Sequence, residues 1–351
     1  MKHGLMYYPS RYGNNKNIGD YIQSVAADQF MHATELVDRE HLHEYHGEKV
    51  KVILNGWFMH YPENFPPSQD IVPLFISFHL RPCMAETLLT PATIAYMKAH
   101  GPVGCRDRTT MSILEAHGVP AYFSSCLTLT LGRSFAHAPA ERQHGVCFVD
   151  PWHCLNKWDA LRGLPWMLLH PVMTFRIFAK MQRQALKDKK LKFHVQVFLK
   201  LGAFLRAYLK LFTKRLLLDA EYYSHNVRER LFADEKSKLA YCRSLLQRYA
   251  EAKFCVTCRI HCALPCVAMG TPVVFVESKD KDVGEGRFDG IRELFNMAEV
   301  RHGSMTAHFK FTTDEPDGRI GVNAKLNATD RHLEVVADMS RRCEAFARES
   351  S

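Results

Sequence analysis

No run of this 351-residue sequence reaches the roughly 18 consecutive apolar residues that a membrane-spanning helix needs. Nor does any stretch repeat with a period of about 20 to 50 residues, which excludes solenoids and propellers. Lys2 and His3 are followed by Gly4 to Pro9, a stretch too short for a signal-peptide core, so the expected location is the cytosol. A disulfide framework is missing as well. The eleven cysteines are odd in number and scattered from Cys83 to Cys343, as expected where thiols stay reduced and serve as small buried hydrophobes. Cys255, Cys258, Cys262 and Cys266 have spacing that suggests a metal. However, Cys255 falls in a strand and Cys262 and Cys266 in the following helix, so they are expected not to converge, and no metal site is assigned.

What is present is an ordinary folded composition, 47% hydrophobic and 24% charged. At roughly 150 residues per domain, the length suits two α/β domains, 1–140 and 141–351. The formal net charge of +9 is concentrated. Residues 156–215 hold 14 Lys and Arg against Asp159 and Asp188, a net +12, which leaves −3 for the rest. On a helical wheel Leu201, Phe204, Leu205, Tyr208, Leu209, Leu211 and Phe212 fill one half while Lys200, Arg206, Lys210 and Lys214 share the other. Trp166 to Leu169 and Phe175 to Lys190 form a second, less regular amphipathic stretch. Residues 156–220 therefore read as a basic helical insertion. It either packs on its domain with its lysines in water or lies on an anionic membrane leaflet. Nucleic acid is not the expected partner, because the aromatics fall on the apolar half and no nucleic-acid motif accompanies the charge.

The remainder alternates strands and helices. Gly4 to Tyr8 reads as a strand, followed by the polar loop Ser10 to Asn17 and a helix through Phe30. Lys49 to Leu54, Val72 to Phe78, Pro102 to Cys105 and Ala121 to Phe123 are further strands, with helices at Thr90 to His100 and Thr109 to His117. A boundary falls near residues 133–144. Strands then follow at Gly145 to Val149, Phe254 to Thr257 and Val273 to Val276, with helices at Lys236 to Ala252 and Ile260 to Met269. Polar residues recur at the carboxyl ends of the strands, the edge where open parallel sheets bind ligands. Two Rossmann-like units with a ligand cleft between them are expected.

The chemistry-bearing segments sit at those ends. In Thr257-Cys258-Arg259-Ile260-His261 a strand delivers a guanidinium and an imidazole to a helix start, an anion site with an acid/base group. The plainer alternative for His261 is a cap or packing residue. The loop containing Asn17, Gly19 and Asp20 can turn tightly and present donors to a ligand, although Asp20 could serve only as a helix cap. Arg106 ends another strand, with a structural ion pair as its alternative. Arg287 lies at the tip of the loop Gly286 to Gly290.

Taken together, Asn-Ile-Gly-Asp (17–20), Gly-Cys-Arg-Asp (104–107), Ser-Cys-Leu-Thr-Leu-Thr-Leu (125–131), Arg-Ile-His-Cys-Ala-Leu-Pro (259–265) and Arg287-Phe288 resemble the polysaccharide pyruvyl transferase family in kind and order. The resemblance covers most of residues 5–295 and fades in the basic segment and beyond Val300. Arg-Ile-His stands here where the family usually has Arg-Leu-His. The resemblance implies a fold similar to the two-domain, B-type glycosyltransferases. It also implies transfer of a pyruvyl group from phosphoenolpyruvate, a co-substrate, onto two sugar hydroxyls as a cyclic ketal, with no cofactor. By resemblance His261 is the acid/base, Arg259 and Arg106 bind anions, and Asp20 stands near the acceptor or organises the loop. Asn17, Gly19 and Arg287 complete the expected substrate site. The rival expectations are a nucleotide-sugar glycosyltransferase, for which the second half offers no convincing acidic pair, and a non-catalytic, membrane-associated assembly factor. A sugar on a polyprenyl carrier would have to be met at the cytoplasmic leaflet.

Overall fold

A computed structural model, which describes residues 1–8, 17–137, 145–193, 195–280 and 286–349, contains two six-stranded sheets. The first contains β1 (Lys2–Tyr7), β2 (Glu35–Asp38), β3 (Val50–Trp57), β4 (Ile71–His79), β5 (Val103–Cys105) and β6 (Ala121–Phe123). The second contains β7 (Cys147–Val149), β8 (Glu221–Tyr223), β9 (Cys255–Thr257), β10 (Val273–Ser278), β11 (Asn296–Arg301) and β12 (Ser304–Ala307). The helices are α1 (Gly19–Met31), α2 (Ala85–Leu88), α3 (Pro91–Ala99), α4 (Arg108–Ala116), α5 (Gly132–Phe135), α6 (Lys157–Leu169), α7 (Pro171–Lys187), α8 (Val195–Tyr208), α9 (Lys214–Asp219), α10 (Glu235–Glu251), α11 (Ile260–Ala268) and α12 (Leu333–Arg348).

The fold is α/β and Rossmann-like in both sheets. The first sheet is parallel throughout in the order β2-β1-β3-β4-β5-β6. Across the second the order is β8-β7-β9-β10-β11-β12, parallel except for the antiparallel edge strand β12. The two orders are the same, with the second strand outside the first and the third on its other side. Each sheet thus reverses direction once, between β1 and β3 and between β7 and β9. At such a switch point the two loops leave in opposite directions and open a crevice at the carboxyl ends of the strands.

Each half has a buried cluster of its own, around Phe75 in the first and Phe148 in the second, and a third cluster is shared between them. The shared cluster takes Leu5, Ile22 and Leu129 from the first half and Leu245, Cys262 and Phe275 from the second. Its layer is built by α1, α10, α11 and α12. The last of these helices lies on the first half, although it follows the second in sequence. Met339, Cys343 and Phe346 enter the shared cluster, and Lys51 Nζ donates to the Phe346 carbonyl at 2.6 Å. The expected division at residue 140 had assigned this segment to the second domain. Residues 138–144, where that boundary was expected, lie outside the described residues, as do Asn14, Asn15 and Lys16 of the polar loop.

The basic insertion corrects one expectation. α8 is amphipathic, but Leu201, Phe204, Leu205, Tyr208 and Phe212 are buried against Phe148 and Tyr222 beneath the second sheet. The face expected to reach a membrane is therefore protein core. Periodicity showed that this half is covered without showing by what. α6 lies across α8 through two glycines. A Cβ on Gly163 would stand 2.1 Å from Ala203 N, and one on Gly202 would stand 2.2 Å from Gly163 O.

Candidate functional site

A cleft of about 360 Å³ opens where the two switch points meet. From the first half it is lined by Asn17 and Asp20 after β1, Trp57 at the end of β3 and Arg81 after β4. From the second it takes Arg259 and His261 after β9, Glu277 and Ser278 at the end of β10, and Arg287. Asn17, Asp20, Arg259, His261 and Arg287 of the expected site residues thus share one cavity. Arg106 and Gly19 do not line it.

Gly19 acts through packing. A Cβ there would meet His225 Nδ1 at 2.7 Å, so only glycine lets α1 start this close to the second half. Asp20 is not the helix cap, since Ile18 occupies that position without a side-chain bond and Asp20 sits in the first turn facing the cleft.

Arg259 occupies the N-cap position of α11, and its backbone N–H donates to Thr257 Oγ1 at 2.9 Å. Its guanidinium Nε donates to Asp150 Oδ2 at 2.7 Å. Asp150, the first residue after β7, is buried and holds φ at +46°, a left-handed backbone uncommon for a non-glycine residue. Its Oδ2 also accepts the His225 N–H at 3.1 Å. Burial works against ionisation of Asp150, but Arg259, His225 and the hydrogen bonds it accepts outweigh burial and hold the carboxyl below the ordinary range. The switch point therefore carries a fixed carboxylate whose role is to aim Arg259.

His261 follows in the first turn of α11. It is buried, it reaches the cleft, and its Nε2 has no hydrogen-bond partner among the described residues. Burial first, and then the charges of Arg106, His225, Arg287 and Arg259, drive its pKa well below the usual histidine value. In the empty cleft His261 is thus a neutral imidazole. Arg287 has an unpartnered buried Nε, and burial together with Arg106 and Arg259 lowers its pKa to about 10. Arg106 lies behind the cleft, fully buried, with Nη2 unpartnered and its Nε 3.6 Å from Asp107. The ion-pair alternative for Arg106 is therefore partly realised, yet its charge still acts on His261, His79 and Arg287.

A second imidazole was missed by sequence reading. His79, at the end of β4, donates from Nδ1 to Asp107 Oδ2 at 2.7 Å and leaves its Nε2 buried and unpartnered. Burial and Arg106 push its pKa down to about 3, against the raising effect of Asp107. Asp150 and His225 were missed too. All three stand at or just past the carboxyl ends of parallel strands; the rule that found Arg106 and Arg259 extends to His79 and Asp150, whereas His225 follows β8, a strand the sequence reading did not include.

The cysteines correct another expectation. The thiols of Cys255, Cys262 and Cys266 do converge, within 4.8 Å of one another. Cys255 faces α11 from β9, and a four-residue step on the helix turns Cys262 and Cys266 toward it. They belong to the shared core, whereas Cys258 points away toward Tyr208 and the Pro151 carbonyl. All eleven cysteines are free thiols.

A profile of the polysaccharide pyruvyl transferases matches residues 86–280, more than half of the chain. The protein belongs to the polysaccharide pyruvyl transferase family. Within this pyruvyl transferase the matched span carries Arg106, Asp150, Arg259 and His261, while Asp20 and Arg287 lie outside it. No curated sequence matches. Among solved structures, S. aureus MnaA with UDP is similar at 9% identity and a TM-score of 0.36 over 100% of this chain and 92% of that one, too remote to say what this chain binds.

Proposed function

We propose that this transferase moves a pyruvyl group from phosphoenolpyruvate onto two hydroxyls of a sugar in a polysaccharide precursor, forming a cyclic ketal. The observation that carries this reading is a neutral histidine with a free nitrogen set among guanidiniums that the protein neutralises only in part. Phosphoenolpyruvate brings two anionic groups, and Arg259 and Arg287 from the second half and Arg81 from the first supply cations for them around the cleft. Arg106 adds its charge from behind.

The chemistry then assigns roles. Protonation of the donor's methylene carbon turns CH2 into CH3 and leaves a cationic centre at the carbon bearing phosphate. A first sugar hydroxyl bonds to that carbon and loses its proton to a base, for which Asp20 faces the cleft from the opposite half. The phosphate then leaves with its bonding pair, and the second hydroxyl closes the ring as its proton is removed. His261 is the acid for the first step. It is neutral in the empty cleft, so the donor's negative charge must offset the arginines and raise its proton affinity on binding. Guanidiniums supply the charge that the developing anion needs, and the reaction is written without a metal.

The test is incubation with phosphoenolpyruvate and a candidate glycan, following phosphate release and a glycan mass increase of about 70 Da, the mass of pyruvate condensed with two hydroxyls. Nucleotide release from a sugar nucleotide, with no phosphate release from phosphoenolpyruvate, would overturn the reading. Arg259→Lys should impair turnover severely, because an ammonium cannot reproduce the forked contact or the Asp150 bond.

A further inference from the structure

With one half of α8 buried, the apolar residues left in water lie elsewhere. α6 touches the protein along a narrow edge, where Asp159 and Gly163 are buried. Its remaining surface exposes Trp158, Leu161, Leu164, Leu168 and Leu169, and the patch runs on through Val172 and Phe175 of α7. Leu168 is 82% exposed and Leu169 70%. A water-soluble domain seldom leaves this many large apolar side chains together.

The charge around the patch has one sign. Lys157 and Arg162 on α6 and Arg176, Arg183 and Lys187 on α7 are exposed. Between residues 156 and 187 the only carboxylate is Asp159, which is buried and accepts the Asn156 N–H in the helix cap. Apolar groups including a tryptophan, flanked by cations and with no exposed acid on α6 or α7 themselves, are complementary to anionic headgroups over acyl chains. A protein partner would ordinarily be matched by charges of both signs. No described helix is long and apolar enough to cross a membrane.

We propose that the exposed face of α6 and the first turns of α7 docks this protein on an anionic lipid surface. α8, on which α6 rests, also brings Lys200 and Gln196 to a smaller cavity of about 130 Å³ that shares Arg259 and His153 with the main cleft. Docking would therefore hold the cleft close to the bilayer, within reach of a lipid-linked acceptor. The docking itself is independent of the chemistry proposed for the cleft.

The test uses the full chain with sedimented vesicles of phosphatidylglycerol and phosphatidylcholine, and with phosphatidylcholine alone. Binding to the anionic vesicles should be strong at low salt and fall by about tenfold or more as salt reaches the screening range. The double variants Leu168→Glu with Leu169→Glu, and Arg162→Glu with Arg176→Glu, should each lower it by about tenfold or more. Both pairs are exposed, so the melting temperature and turnover on a soluble acceptor should stay at wild-type values. Loss of turnover in the wild-type assay would count against the cleft reading and leave the docking intact. Equal binding by the Leu168→Glu, Leu169→Glu variant, equal binding to neutral vesicles, or no binding at low salt would each overturn the proposal. A dimer in sedimentation velocity that ignores vesicles and dissociates in the same variant would assign the face to a second copy instead.

Discussion

His261 can donate a proton only after acquiring one. Burial and three arginines lower its proton affinity, so under the proposed reaction donor binding is expected to draw a proton from solvent. Calorimetry of phosphoenolpyruvate binding near neutral pH, in buffers of different ionisation enthalpy, should show uptake in the wild type that is absent in His261→Gln. Donor affinity should then weaken as pH rises toward the bound-state pKa of His261 and level off above it. Turnover of the variant should fall by about 10²- to 10⁴-fold, the usual worth of a general acid, with little change in thermal stability because Nε2 has no partner to lose. Equal heats in all buffers, or a parallel loss of stability, would return His261 to a packing role. Asp150 shows the other side of residue-scale design, since its left-handed backbone sets strain at the point where Arg259 must be aimed.

At the scale of elements, the crossing of α6 over α8 depends on backbone touching backbone. Gly163→Ala would place a methyl group 2.1 Å from the Ala203 nitrogen, and main chain cannot turn aside as a side chain can. An overpacking cost of about 1–3 kcal/mol is expected, read as a lower melting temperature. A melt unchanged from wild type would mean that the two helices can separate without cost. The same region shows what sequence could and could not tell. The apolar period of α8 was readable, but a stripe of Leu and Phe reads alike whether lipid or Phe148 covers it. Strands such as β3 and β10 were legible as apolar runs. β2 was not, because in Glu35–Asp38 only Val37 is buried, and neither was β8, whose two tyrosines follow Asp219, Ala220 and Glu221 without an apolar run of their own. The site was half legible. Arg259 and His261 advertised themselves by their spacing, whereas Asp150, His79 and His225 gain meaning only when separate strand ends are brought together.

For the whole molecule, the buried histidines set a pH limit. His79 at about 3, His225 at about 4 and His261 well below its usual value are all depressed from 6.5 in the folded state, each chiefly by burial. The unfolded chain takes up protons on these groups below about pH 6.5 while the folded chain does not, so stability is full above that value and is lost as pH falls. Each contributes a slope of at most about 1.4 kcal/mol per pH unit. Asp107 and Asp150, whose carboxyls are held low, contribute their own loss only further down, below about pH 4. Denaturant unfolding between pH 7 and 4.5 should therefore show a steady decline that becomes shallower in His225→Gln. A flat profile over that range would show that the histidines are solvated or charged in the native state.

The return of α12 to the first half bears on the order in which the protein is made. The first sheet leaves the ribosome early, with Lys51 in place, yet the carbonyl of Phe346 that receives its ammonium is synthesised after both sheets are complete. Until then part of the layer against α1 is open, since Leu127, Leu129 and Leu131 cover it from the same half but α10 and α11, like α12, arrive late. The first half has its own cluster around Phe75 and can collapse early, but its face along α1 is completed only when the later helices arrive. Chaperone attention should therefore fall on the half that emerges first, and be released only when the last of these helices has passed the exit.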